Sequence, residues 1–378
     1  MNKDIETRKE LVIVRIITLI LFLTTLTLLT LHIIFKKEYW NILHFSYSLI
    51  LSFIIAIFLH EVGHLIFGKI SHYKLVSFSF LCFKSTKIGK KSKISVEKGV
   101  TLGQCLMGID PEKRNMVNYR LYLSGGVIMN IILFVLSIAG ILIIYFLKGS
   151  LNPHLLACAF VNGYLIPVNI IPLNNMGIYN DGLNIKLMNK YESVRHLIIN
   201  TLCIQYLVVN NVCINDIPDD VLNNDGYQVD PVVPHTYVFD YYRTIKLIVN
   251  NDDAMFNLVN ERNRTKYQLP QLYRLQNFEL LCFEKLIKDE EYMWIYALKE
   301  NQKYFESGAD SVIDLCNWLR DYKEGVISFN VFQNNLSGLK TIILNQNLEK
   351  VSIELMDALI RIASDYSYKR EELMKDES

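Results

Sequence analysis

From Phe58 to Gly68 the chain reads FLHEVGHLIFG, which sets His60 and His64 one helical turn apart on one face with Glu61 beside them. Two imidazoles at that spacing can share one Zn2+, and the adjacent glutamate can take a proton from the water that attacks a peptide carbonyl. The chemistry in prospect is metal-assisted hydrolysis of an amide. Its setting is unusual, because residues 42–70 are otherwise apolar. Imidazoles and a carboxylate in such a segment carry a desolvation penalty of several kcal/mol unless they are paired or hold a metal. The competing use is a polar seam that hydrogen-bonds neighbouring helices.

A catalytic zinc also needs a third protein ligand and an open position for water. Further along, residues 168–185 read VNIIPLNNMGIYNDGLNI and offer Asn169, Pro172, Asp181 and Gly182. Taken alone, Asn-Asp-Gly is turn chemistry, and a second copy at Asn224-Asp225-Gly226 reads as a loop. Glu97 and Glu112 are the other acidic candidates, in a basic segment with no helical motif around them.

The elements that position these residues are membrane helices. Ile16 to Phe35 is free of charged residues and about 20 residues long, enough at 1.5 Å per residue to cross a hydrocarbon core of roughly 30 Å. Further apolar stretches run over 42–70, 121–147 and 155–173, giving four expected spans, all before residue 180. Lys and Arg concentrate in the N-terminus and between the second and third spans, where Lys84, Lys87, Lys90, Lys91, Lys93, Lys98, Lys113 and Arg114 fall. Cytoplasmic loops are enriched in these residues, so a multi-pass cell-membrane protein with both termini in the cytoplasm is expected. His60, His64 and Asp181 then share the cytoplasmic side. After the second span, KLVSFSFLCF and TKIGKKSKISVE alternate around a Gly-Lys-Lys turn and predict a β-hairpin at that face. Its strand edge could bind an unwound peptide, and its lysines suit anionic lipid equally well.

Beyond Gly182 the composition turns to mixed charged and apolar residues with three- and four-residue spacing, the pattern of amphipathic helices. Leu197 to Val209 is short for a span and reads as a buried or interfacial helix of this soluble part. A helical-hairpin array is expected over 236–378. The fold class is therefore an all-α polytopic membrane protein with about four transmembrane helices, a small cytoplasmic-face β-hairpin and a C-terminal α-helical soluble domain. The domains are 1–182 and 183–378. Lys and Arg total 39 against 38 Asp and Glu, so no basic excess points to nucleic acid. Seven cysteines without a C-x-x-C pair read as reduced thiols. His32 and His44 lack an acidic neighbour at helical spacing and read as structural, and His72 belongs by position to the turn after the second span.

Three elements in order resemble the site-2 protease family of intramembrane zinc metalloproteases, over roughly residues 40–185. HEVGH (60–64) resembles its zinc motif, Gly126-Val-Ile-Met-Asn130 its G-x-x-x-N, and Asn169-Ile-Ile-Pro172 through Asp181-Gly182 its N-x-x-P…D-G motif. Two departures stand out: LNNMGIYN, between Pro172 and Asp181, is longer than the usual form, and Val127 stands where many members have proline. The resemblance implies His60, His64 and Asp181 as zinc ligands, Glu61 as the catalytic base, and Asn130 and Asn169 as polar support for the site or its substrate. It makes 1–182 a transmembrane metalloprotease domain that cuts a membrane-spanning or membrane-associated peptide near its cytoplasmic end. Residues 183–378 would dock a substrate or a cytoplasmic protein partner. The alternative is a catalytically silent membrane scaffold or peptide-binding protein, which needs no zinc. A di-iron oxidase needs more clustered histidines than His60, His64 and His72 supply.

Overall fold

The computed structural model describes residues 40–89, 91–96, 102–175, 178–222, 233–250, 280, 282–283, 285–288, 311–345 and 349–376. It is mostly helical with a small antiparallel sheet. Two compact units divide the chain: Met1–Lys87 with Lys91–Tyr206, and Ile88–Lys90 with Leu207–Ser378.

The first unit is built on three helices, α1 (Trp40–Ile70), α2 (Tyr119–Lys148) and α3 (Pro153–Ile170), each packed against the other two. All three are long and apolar enough to cross a membrane. The expected span over 16–35 lies outside the described residues. On α1 the buried positions Ala56, His60, Gly63, His64 and Gly68 recur every three or four residues and so share one face. Where α1 crosses α2, a Cβ on Gly125 would stand 2.6 Å from the Gly63 carbonyl oxygen, so the crossing needs glycine on both helices. The surface of this bundle is inverted relative to a water-soluble one. Phe146 is 81% exposed and Ile143, Leu136 and Tyr47 are also on the outside, while Asn130 and Asn162 are wholly buried. Such an exterior suits a hydrocarbon surrounding, with polar side chains turned inward.

At the end where α1 stops and α2 begins, the connection folds into a four-stranded sheet of order β3-β2-β1-β4, formed by β1 (Lys74–Phe80), β2 (Phe83–Ile88), β3 (Lys91–Val96) and β4 (Gly103–Gly108). The expected single hairpin is thus corrected. The apolar run from Lys74 turns already at Leu81 and Cys82, with Leu81 in the left-handed region at φ 55°, ahead of the turn at Gly89. Strand β4 pairs with β1 from farther along the chain, a non-local contact that alternation within one segment does not signal.

After α3 come a two-stranded hairpin, β5 (Asn174–Asn175) and β6 (Ile178–Tyr179), then α4 (Asp181–Lys190) and α5 (Glu192–Val209). Helix α5 carries the apolar run 197–209 and is buried along Leu197, Ile198, Leu202, Cys203 and Ile204, in keeping with an apolar run too short to span. It anchors the sheet end through the Ile109 amide, which donates to the Leu202 carbonyl at 3.1 Å.

In the second unit, α6 (Pro234–Val249) buries Phe239, Ile245 and Ile248, and α7 (Ser311–Lys323), α8 (Phe329–Asn345) and α9 (Lys350–Asp376) pack against one another. Tyr322 stacks on Phe332 at 5.0 Å between ring centroids. The amphipathic segment 272–305 falls largely outside the described residues.

Candidate metal centre

Helix α1 holds His64 and His60 on its inner face, six and ten residues before its end at Ile70, or about 9 and 15 Å in from the end of the helix. The third candidate arrives by a different route. Asn180 terminates the β5–β6 hairpin and caps α4: its Oδ1 accepts from the amides of Leu173 and Leu183, both at 3.0 Å. Its Nδ2 donates to the Val168 and Ile171 carbonyls at 2.7 Å. One amide side chain therefore ties the end of α3, the hairpin base and the start of α4 together, which fixes Asp181 in the first turn of α4. The longer interval from Pro172 to Asp181 contains the β5–β6 pairing and is closed at its base by the Asn180 amide, which donates to the Leu173 carbonyl. Gly182 packs under the end of α3, where a Cβ would meet the Ile170 carbonyl carbon at 2.6 Å.

The three side chains converge. Asp181 Oδ2 lies 3.4 Å from His60 Nε2 and 3.2 Å from His64 Nε2, and the two imidazole nitrogens are 3.2 Å apart. Two ligands on a tetrahedral zinc with bonds of about 2.0 to 2.1 Å stand roughly 3.3 Å apart, so the triangle has the edge length of such a site. The imidazole orientations fit as well. His64 Nδ1–H donates to the Tyr122 carbonyl at 2.9 Å, which leaves the Nε2 lone pair for the cluster. His60 Nδ1 lies 3.1 Å from the Asn130 amide, whose Oδ1 is otherwise buried without a partner. With Nε2 turned to the cluster, Nδ1 carries the proton and needs an acceptor, and a half-turn of the Asn130 amide supplies Oδ1 without changing shape. Three lone pairs then meet at one point, an arrangement that attracts a cation. With the imidazoles protonated at Nε2 instead, burial pushes the Asp181 carboxyl up, but the positive charge and Nε2–H donors of His64 and His60 outweigh it and hold the group below the usual carboxylate range.

Glu61 stands beside this triangle on the side of β4. The backbone N–H of Cys105 donates to its carboxylate, and His64, His60 and Asp181 are the ionisable groups that act on it. Gly103 leaves it room: a Cβ there would stand 2.8 Å from Glu61 Cγ. Tyr122 closes the other side, its hydroxyl donating to the Cys105 carbonyl at 3.0 Å. The outer edge of β4, away from β1, is thus turned toward the cluster. Burial, and after it Glu61, pushes the Cys105 thiol up to about 12.

No family model, curated protein or solved structure matches this chain. Among the described residues, the group of three that could hold a metal is His60, His64 and Asp181. Asn130 touches it directly. Asn169 donates to the Leu165 carbonyl one turn back, a bond within its own helix, and its carbonyl packs against Gly182. Glu112 is exposed on the 3-10 turn Pro111–Lys113, Glu97 lies outside the described residues, and His72 sits in the turn after α1. Gly126, from the G-x-x-x-N element, lies against the His60 ring and leaves no room for a Cβ, whereas two contributors carry no signal at sequence level: the Tyr122 carbonyl and the Cys105 amide. Asn180 had one, since asparagine ahead of a helix is a common cap.

Proposed function

We propose that this chain is an intramembrane zinc metalloendopeptidase of the site-2 protease type, which hydrolyses a membrane-spanning or membrane-associated peptide near its cytoplasmic end. The observation that carries the reading is the approach of Asp181, from far along the chain, to within 3.4 Å of both imidazole Nε2 atoms of an H-E-x-x-H helix. Two histidines and a carboxylate form an open donor set typical of hydrolytic zinc. His60, His64 and Asp181 would hold the ion, which when bound supplies Lewis acidity to activate water near neutral pH and polarise a carbonyl. Asn130 and the Tyr122 carbonyl fix the imidazole tautomers. Glu61 takes a proton from the attacking water and returns it to the leaving amide nitrogen, so that one C–N bond breaks and one C–O bond forms.

A peptide bond within a helix is shielded by its own backbone, so the substrate must be extended at the cut. The outer edge of β4 offers pairing beside Glu61, with Gly103 keeping the approach open. The lysine-rich connection at this end of the bundle supports a cytoplasmic site in a multi-pass cell-membrane protein, with both termini on the same side. The helical unit that follows is assigned the docking of substrate or of a cytoplasmic partner.

The test is elemental analysis beside cleavage of a co-reconstituted membrane peptide. One zinc per chain is expected in the wild type and in Glu61→Gln, but not in His64→Ala or Asp181→Ala, with cleavage reduced at least about a thousandfold in all three variants. Wild-type cleavage by Glu61→Gln would remove Glu61 as the base. Iron in place of zinc would redirect the reading, because two histidines and a carboxylate also suit non-haem iron.

A further inference from the structure

Where α1 gives way to β1, the backbone turns through a motif that is ordinarily built on glycine. The Tyr73 amide donates to the Gly68 carbonyl at 2.9 Å and the His72 amide to the Lys69 carbonyl at 3.2 Å, which satisfies the last carbonyls of α1. The pivotal residue of this turn must adopt a left-handed conformation, and here it is His72, at φ 67°. Glycine would be accommodated more easily, so an imidazole is carried at this point against backbone preference.

His72 lines a cavity of about 300 Å³ together with Lys69, Lys74, Lys113, Tyr73 and Leu75. Four of the six are basic and none is acidic. Asp110 and Glu112 flank Lys113 on the 3-10 turn, yet no ion pair holds Lys69, Lys74 or Lys113 among the described residues. Lys69, His72 and Lys74 are exposed and Lys113 is half-buried, and basic side chains gathered from the end of a helix, a strand and a 3-10 turn without an acidic partner favour an anion among them. The position specifies which anion. The same end of α1 exposes Ile66 and Ile70, so the cavity opens at the boundary between the apolar exterior of the bundle and the polar sheet, the depth of phospholipid headgroups. Lysines suit phosphate as point charges.

We propose that this cavity binds a phosphate group between Lys69, Lys74, Lys113 and His72, presented by an anionic phospholipid headgroup or as free phosphate. It is separate from the metal centre and does not depend on hydrolysis. Bound there, the ligand braces the joint between α1, which carries His60 and His64, and β1, the strand beside β4.

The test follows thermal unfolding of the full-length protein in a neutral detergent. It is titrated with dioctanoyl phosphatidylglycerol, dioctanoyl phosphatidylcholine or sodium phosphate at constant ionic strength. Saturable stabilisation by phosphatidylglycerol and none by phosphatidylcholine is expected, with half-saturation shifted about a hundredfold in the combined Lys69→Gln, Lys74→Gln, Lys113→Gln variant. His72→Gly should unfold at the wild-type temperature or above without ligand, since the turn prefers glycine, yet bind the lipid more weakly. Glu61→Gln should respond as the wild type does. Saturable stabilisation by sodium phosphate alone, lost in the lysine variant, would assign the site to free phosphate. Equal stabilisation of wild type and lysine variant, or none by either phosphate-bearing probe, would overturn the proposal.

Discussion

Asn130 shows how a single buried amide can decide the state of a neighbouring ring. It is wholly buried on α2, and its amide is 3.1 Å from His60 Nδ1. An acceptor there keeps the proton on Nδ1 and Nε2 free, so partners of this kind govern metal affinity by about 10- to 100-fold. Asn130→Leu, which offers no acceptor, should weaken zinc binding by that factor in competition with a chromogenic chelator. Asn130→Asp, which restores an acceptor oxygen, should recover most of it; equal loss in both would point to packing instead. A second residue-scale prediction concerns thiols. Cys105 is buried and its acid form is favoured up to a pH of about 12, whereas Cys82 is exposed. The thiolate is the reactive species, so at about pH 8 iodoacetamide should label Cys82 in the folded protein and leave Cys105 unmodified until the protein is unfolded. Peptide mass spectrometry reads this directly, and labelling of Cys105 at the rate of Cys82 would contradict its burial.

At the scale of elements, the β5–β6 hairpin is a detour that does not alter its destination. Leu173 and Asn180 bond each other at its base, the Asn180 amide donating to the Leu173 carbonyl at 3.2 Å. Replacing residues 174–179 with two glycines should therefore retain zinc, since Asn180 still anchors the start of α4. Asn180→Ala should do the reverse. It removes four side-chain hydrogen bonds and a helix cap, lowering stability by about 1 to 2 kcal/mol in denaturant titration and releasing Asp181 from the cluster. If the alanine variant keeps zinc at wild-type affinity, some other contact positions Asp181.

For the whole molecule, two compact units let the two proposed tasks be separated experimentally. The residues proposed to hold the metal and move protons all lie in the first unit, and the second has a core of its own around Phe239, Ile313, Leu319, Phe332 and Leu359. Deleting residues 236–378 should leave zinc content unchanged while impairing the choice among membrane substrates. Equal processing of every substrate by the truncated protein would remove the docking role.

Much of this was legible in order along the chain. Periodicity and hydropathy gave the three described spans, because a helix in hydrocarbon must be apolar for its whole length and therefore declares itself locally. The fixed geometry of one helical turn brought His60, Glu61 and His64 together in sequence alone. Whether Asp181 reaches them was not decidable from spacing, since a loop of variable length separates it from α3. Tertiary structure decided that point through Asn180, whose four hydrogen bonds close the loop regardless of its length. The pairing of β4 with β1, the Tyr122 carbonyl behind His64 and the basic cavity at His72 likewise join residues distant in the chain. Backbone groups and cations gathered from separate elements leave no local pattern of residue types, so only the packed fold brings them to one place.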